Sequence, residues 1–358
     1  MPSFIPQQFN FSHEYSRSLV QNLAHLLIYG EEQKIYSEIL PITEPEERKE
    51  FSTLPKEKIS DWLDTHGYRP HLSKMLLKTL YPALLADLYQ FVTEALICSE
   101  KGWLTASYAL LRKPFRDNLF YLEWLLAEPD VFTNAFYKQD PEEFSVDKMM
   151  RESRVLEIIK RAANRTVKKD IVDPLVIYNI RYDKLINLGY DAMWNKALHL
   201  VTTARAHKTE QKNINFIFTN NEDRLYQWRH IYSSLPVLLD YTVDVAESLM
   251  FMITGNERPN YYVDFFHREL GFAVWSKEAI DWQENVELSA NFPDDLADLH
   301  VACPKCSRVI DFNQTIARNL FLERKIRCPR CHKSISIKDI VDKNGIGPKS
   351  NSRLADAL

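Results

Sequence analysis

The chain has 358 residues, 45% of them hydrophobic and 12% aromatic, with a formal net charge of −4. That apolar content suffices for a large core and excludes a disordered chain. Eight glycines are few for this length, neither GxGxxG nor GxxxxGK[ST] occurs, and no uncharged apolar run reaches the ~18 residues of a membrane span, so glycine-turn nucleotide folds and a membrane protein are both disfavoured.

In chain order, Ser12 reads as the cap of a first helix that puts Tyr15, Leu19, Leu23, Leu26 and Leu27 on one face and stops at Gly30. Residues 41–58, rich in Pro, Glu and Lys, read as an exposed connection. A short helical piece with Ile59, Trp62 and Leu63 comes next. From Leu72 to Trp124 the pattern is strongly helical and apolar, with Leu84, Leu85, Leu88, Phe91, Val92, Ala95 and Leu96 in a wide stripe, a break at Gly102, and Pro114 placed to kink the next helix. Arg112, Arg116 and Glu123 fall on one side of it, a polar stripe that could line a cleft but reads first as a solvated face with one ion pair.

Residues 147–169 set Arg154, Arg161, Arg165 and Lys168 on one helical face beside the apolar Val155, Ile159 and Ala162. Such a stripe can track a phosphate backbone, though solvated stripes are commoner. Asp173-Pro174 ends the segment. After a helix around Met193 to His199 and an Asn-rich loop, the last long helix runs from about Asp223 to Met252. It turns Ile231, Leu235, Leu238, Thr242, Val245 and Leu249 inward and kinks at Pro236. His199 and His207, eight apart, are poorly spaced for joint metal ligation on one helix. TGNERPN, residues 254–260, reads as a linker and a possible sub-boundary, and the acidic stretch NFPDDLAD, residues 291–298, leads into the C-terminal module.

That module holds four of the five cysteines, as CPKC at 303–306 and CPRC at 328–331 with twenty-one residues between. Two C-x2-C turns can close a tetrahedral shell of thiolates, and Pro304 and Pro329 occupy the same place in each. The halves read as a pseudo-repeat. Val309, Ile310 and Phe312 suit one short strand, while Ile335 and Ile337 alternating with Ser334, Ser336 and Lys338 suit another. This is the layout of a zinc ribbon holding one structural Zn2+ at Cys303, Cys306, Cys328 and Cys331, with no open position for catalysis. The opening MPSFIPQQFNFSHEYSRS lacks a basic region followed by an apolar one, so a reducing cytoplasmic setting is expected rather than disulfides. Haem attachment through Cys328, Cys331 and His332 would leave the other pair unexplained.

Residues 301–337, VACPKCSRVIDFNQTIARNLFLERKIRCPRCHKSISI, resemble the short bacterial zinc-ribbon fingers that open with CPxC and close with RCPxC. In that family Gly often follows the second cysteine of each pair, and Ser307 and His332 stand there instead. The resemblance implies zinc and carries little about function.

Residues 301–358 hold 12 Lys or Arg and 5 Asp or Glu, a formal +7, against 33 and 44 in the first 300, a formal −11. Arg324, Lys325, Arg327, Arg330 and Lys333 cluster around the second knuckle, suited to phosphates or to the chain's own acidic body. Arg224 and His230 match the Arg, four to six residues, His signature of the HEPN ribonucleases, a helical-bundle family. That resemblance implies phosphate stabilisation by Arg and acid–base work by His. Leu225 departs from the polar residue often found after that Arg.

The chain therefore reads as mainly α, a helical-bundle body over 1–290 with a small C-terminal β zinc ribbon over 299–342 and a disordered tail over 343–358. The expected function is binding, with RNA or DNA contacted through the five basic residues of the ribbon. The alternatives are a protein-interaction subunit of a larger assembly and a HEPN-like RNase.

Overall fold

The computed structural model describes residues 3–137, 141–151, 153–183, 189–280, 301–310 and 313–344. Helix α1 spans Asn10–Glu32, α2 Pro45–Thr53, α3 Ile59–Thr65, α4 Arg69–Glu100 and α5 Leu104–Lys113. Pro114 does interrupt the helix: a π-helical turn at Pro114–Asn118, closed by the Leu119 N–H on Pro114 O, leads into α6, Leu119–Ala127. Then come α7 (Pro129–Tyr137), α8 (Val146–Arg151), α9 (Arg154–Ala163), α10 (Pro174–Tyr182) and α11 (Tyr190–Leu198). Helices α12, Asn221–Thr254, and α13, Tyr261–Ile280, complete the body. Among the described residues no helix is long and apolar enough to cross a membrane. The expected acidic lead-in at 291–298 and the tail beyond 344 lie outside the described residues.

Helix α12 is the axis. A capping box starts it, with Asn220 Oδ1 accepting from the Glu222 and Asp223 amides and the Asp223 carboxylate accepting in turn from the Asn220 amide. From Ile231 to Met250 every side chain but Val237 is buried, so all faces are covered, not the single inner face its periodicity suggests. Helices α1, α4, α6 and α13 pack around it. The helix runs through Pro236 without a break. Proline has no N–H for the Tyr232 carbonyl four residues back, and the Trp275 indole N–H of α13 donates to that carbonyl instead, at 3.2 Å.

Helix α1 begins at Asn10, two residues before the expected cap, and continues past Gly30 to Glu32. Gly30 is a close approach rather than a stop. A Cβ there would lie 2.0 Å from the hydroxyl oxygen of Tyr36, whose ring folds back so that the hydroxyl donates to Leu26 O at 3.3 Å.

Buried charges tie these helices together. Arg181 on α10 and Glu123 on α6 are both fully buried, with Arg181 Nη1 2.7 Å from each carboxylate oxygen, Nε on Phe115 O at 2.6 Å and Nη2 on the Tyr182 hydroxyl at 3.0 Å. Glu123, read from sequence as part of a solvated face, is thus an interior anchor. Its expected companion Arg116 pairs with Asp147 instead. Arg181→Met alone leaves a buried carboxylate unpaired and should cost about 3–5 kcal/mol in denaturant unfolding, whereas Arg181→Met with Glu123→Leu should recover most of that loss. Equal losses in the single and double variants would contradict the pairing.

Candidate metal centre and the cationic ribbon face

The ribbon is built as two copies of one hairpin. Strands β1 (Val301–Ala302) and β2 (Val309–Ile310) pair antiparallel with Val301 opposite Ile310. Strands β3 (Lys325–Arg327) and β4 (Ser334–Ser336) pair with Ile326 opposite Ile335. Each position of the first hairpin recurs 25 residues on, as 303 to 328 and 310 to 335. The knuckles match bond for bond: Cys303 N–H donates to Arg308 O and Cys328 N–H to Lys333 O, both at 2.9 Å, while Ser307 N–H reaches Cys303 O and His332 N–H reaches Cys328 O.

These turns carry the four sulfurs to one point. The Sγ atoms lie within 4.8 Å of one another, with Cys303 and Cys331 at 3.5 Å and Cys306 and Cys328 at 3.6 Å. Sulfurs ~2.3 Å from a tetrahedral centre would be about 3.8 Å apart, so the cluster has the size of a metal shell, and all four thiols are free of disulfides. Their electrostatics point the same way. Burial raises the Cys303 thiol, but the amides of Cys306 and Lys305 outweigh it and bring it down to about 6. The Lys333 amide favours the Cys331 thiolate, yet burial and the neighbouring thiols push it up to about 11. Four thiolates this close need a cation among them. Cys98, half-buried on α4, takes no part.

Ser307 and His332, the two residues where the resembled fingers often carry Gly, have φ of 56° and 57°. The turn therefore needs a left-handed residue in both knuckles and tolerates a side chain at a cost. Ser307→Gly with His332→Gly should stabilise the metal-loaded protein by about 1 kcal/mol in thermal unfolding, and a lower midpoint would contradict this reading.

Between the hairpins lies an element the strand pattern did not suggest, helix α14, Gln314–Glu323, capped by Asn313 Oδ1 on the Ile316 amide at 3.0 Å. After β4 the chain turns helical at α15, Ile337–Asn344, instead of extending through Ile337 and Lys338, because Ser336 and Asp339 form a reciprocal cap. Phe312 lies outside the described residues.

Helix α14 docks the ribbon onto α13 and α1. Phe321 stacks on His267 at 4.5 Å between centroids and meets Phe11 and Tyr15 edge-on or tilted. Gly271 makes room for it, since a Cβ there would stand 2.6 Å from both Phe321 and Tyr15. His267 Nε2 bonds Phe321 O at 2.9 Å, Arg318 pairs with Glu278, and Arg324 pairs with Asp264 at 3.0 Å. Burial lowers the His267 imidazole to about 4. An unfolded histidine takes up its proton near pH 6.5, so stability present above that pH is lost as pH falls towards 4, by about 3 kcal/mol. His267→Gln keeps a donor for Phe321 O and should flatten that part of the profile; an unchanged acid limb would contradict it.

The cations expected at this site divide. Arg324 is spent on the body, whereas Lys325, Arg327, Arg330 and Lys333 are exposed and have no ion pair among the described residues. The same holds for Lys305 and Arg308 of the first knuckle, which occupy the places of Arg330 and Lys333 in the repeat. The basic stripe of the body behaves otherwise. Arg154 and Arg161 pair with Glu128, Arg165 donates to Leu126 O, and Lys168 is buried against Asp240 and Glu269. Each of the four has a partner within the body.

Arg224 and His230 differ in burial. Arg224 is exposed at the start of α12, while His230 is buried with Nδ1 3.0 Å from the Tyr108 hydroxyl and its ring edge-on to Tyr190. Comparison of the chain with protein-family models, curated proteins and solved structures found no match.

Proposed function

We propose that the protein is a nucleic-acid-binding protein whose C-terminal ribbon, held by one structural zinc ion, contacts phosphates through the exposed cations of its two knuckles. The observation that carries this reading is the exposure of Lys305, Arg308, Lys325, Arg327, Arg330 and Lys333, none of them ion-paired among the described residues, on a module whose apolar side packs on the body. A tetrathiolate zinc has a net charge of about −2 and offsets only part of them. Four thiolates with short spacing favour zinc over harder cations, and a closed shell makes it structural.

Labelled single- and double-stranded RNA and DNA titrated into the full chain should bind with an affinity that falls steeply between ~50 and ~200 mM salt. Changing Lys325, Arg327, Arg330 and Lys333 together to Ala, all exposed and so neutral for folding, should reduce the log–log salt slope by about 3. Binding that keeps its slope in this variant, or no binding at low salt, overturns the proposal.

A protein partner is the second reading, and one observation favours it. Leu200, Val201, Ile217 and Phe218 are all more than half exposed, and the Asn215 amide on Leu200 O at 2.9 Å ties their two segments together. Loss of a partner complex on Ile217→Ser with Phe218→Ser, with nucleic-acid affinity unaffected, would select this reading.

A further inference from the structure

A cavity of about 210 Å³ opens between α11, α12 and the loop that joins them, and one side chain in its wall lacks a partner. Gln227 on α12 is only 8% exposed, yet its side-chain amide makes no hydrogen bond among the described residues. The Tyr108 hydroxyl uses its backbone carbonyl, at 2.9 Å, and leaves the side chain free. That amide is not sealed in the interior, because Gln227 lines the cavity and its accessible surface opens there. With two donors and an acceptor to offer, it is satisfied by whatever fills the cavity.

The other walls select what fits. Phe218 and Tyr226, 67% and 52% exposed, line the cavity together with Phe216, whose ring is held against Tyr108 at 5.8 Å between centroids. Exposed rings beside an unsatisfied amide suit a flat heterocycle with hydrogen-bonding edges. The cavity is smaller than the ~300 Å³ at which sites for drug-sized ligands begin, so it suits a single ring system.

Charge sorts the parts of such a ligand. Glu210 and Asp223 line the cavity against one cation, Lys196, so a phosphate is kept out of it and a neutral base is not. Lys208, Lys212 and Arg224 each stand within two residues of a lining residue, exposed and with no ion pair among the described residues. Residues 190–230 carry six Lys or Arg against four Asp or Glu, within a first 300 residues whose formal charge is −11. We propose that this surface binds single-stranded nucleic acid. One unpaired base enters the cavity, stacks against the rings of Phe218 and Tyr226 and bonds to the Gln227 amide, while the flanking phosphates lie on Lys208, Lys212 and Arg224. This rests on the nucleic-acid reading but not on the ribbon contact. It adds what exposed cations alone do not supply, a choice of unpaired over paired strands.

The test titrates the full chain with labelled single strands of RNA and of DNA, their duplexes, and abasic strands of the same length. The base-bearing single strand should bind about tenfold more tightly than the abasic one. Phe218→Ala with Tyr226→Ala, both at exposed positions, should remove that difference, with affinity for the abasic strand and the duplex and the salt slope unchanged, since no phosphate contact is lost. Gln227→Leu should weaken the base-bearing strand by about fivefold and leave the other two probes alone. Equal affinity for base-bearing and abasic strands in the unaltered protein overturns the proposal. So does a Phe218 and Tyr226 variant that binds the base-bearing strand as the unaltered protein does, and if that variant also loses a protein complex, the patch belongs to a protein partner. Failure of the ribbon contact shows separately, as a variant of Lys325, Arg327, Arg330 and Lys333 that keeps its salt slope while the effect of Phe218 and Tyr226 persists. No binding of any probe at low salt overturns both.

Discussion

Four sulfur atoms held within 4.8 Å of one another cannot all be thiolates without a positive ion between them. The ribbon depends on this constraint. Its ladders are only two and three residues long, too short to hold a module without help, and its two knuckles meet at the sulfurs. The same turns that aim the sulfurs also fix the outer surface, because Lys305, Arg308, Arg330 and Lys333 sit at fixed offsets from the cysteines.

The ribbon is not an appendage on a string. Phe321 enters the core between α1 and α13, and the apolar side chains of the ribbon, Ile326, Ile335, Ile340 and Val341 among them, belong to one continuous cluster with those of the body. Docking consumes one end of the basic cluster through Arg324 and Asp264, which also receives Arg258. Around the axial helix the buried charges pair with one another, as Lys168 and Arg268 do with Asp240 and Asp244. The knuckle cations Lys305, Arg308, Lys325, Arg327, Arg330 and Lys333 are exposed and have no ion pair among the described residues.

Much of this was legible in the sequence where the signal is local. The paired CPxC turns, the helical stripe of α4, the break at Gly102 and the long helix α12 all depend on residues a few positions apart. Helix α14 was equally local, with Asn313 as cap and Ala317, Leu320 and Phe321 at helical spacing, but the strand pattern of a plain ribbon competed with it. The charge pairs were not legible. Glu123 and Arg181 are 58 residues apart, Lys168 and Asp240 72, and His13 and Tyr232 219, so nothing in a local window distinguishes them from surface charges and polar core residues. The covering of α12 on all sides escaped for a similar reason, since Asp240, Asp244 and Glu247 look solvent-facing until their partners are known.

The most direct measurement is metal content of the full chain purified without chelator, by native mass spectrometry with elemental analysis, alongside titration of reactive thiols. The account predicts one zinc per chain, four thiols shielded until a chelator removes it, and loss of the Phe321 contact when they are released. A folded, metal-free chain with four freely reactive C-terminal thiols would contradict it.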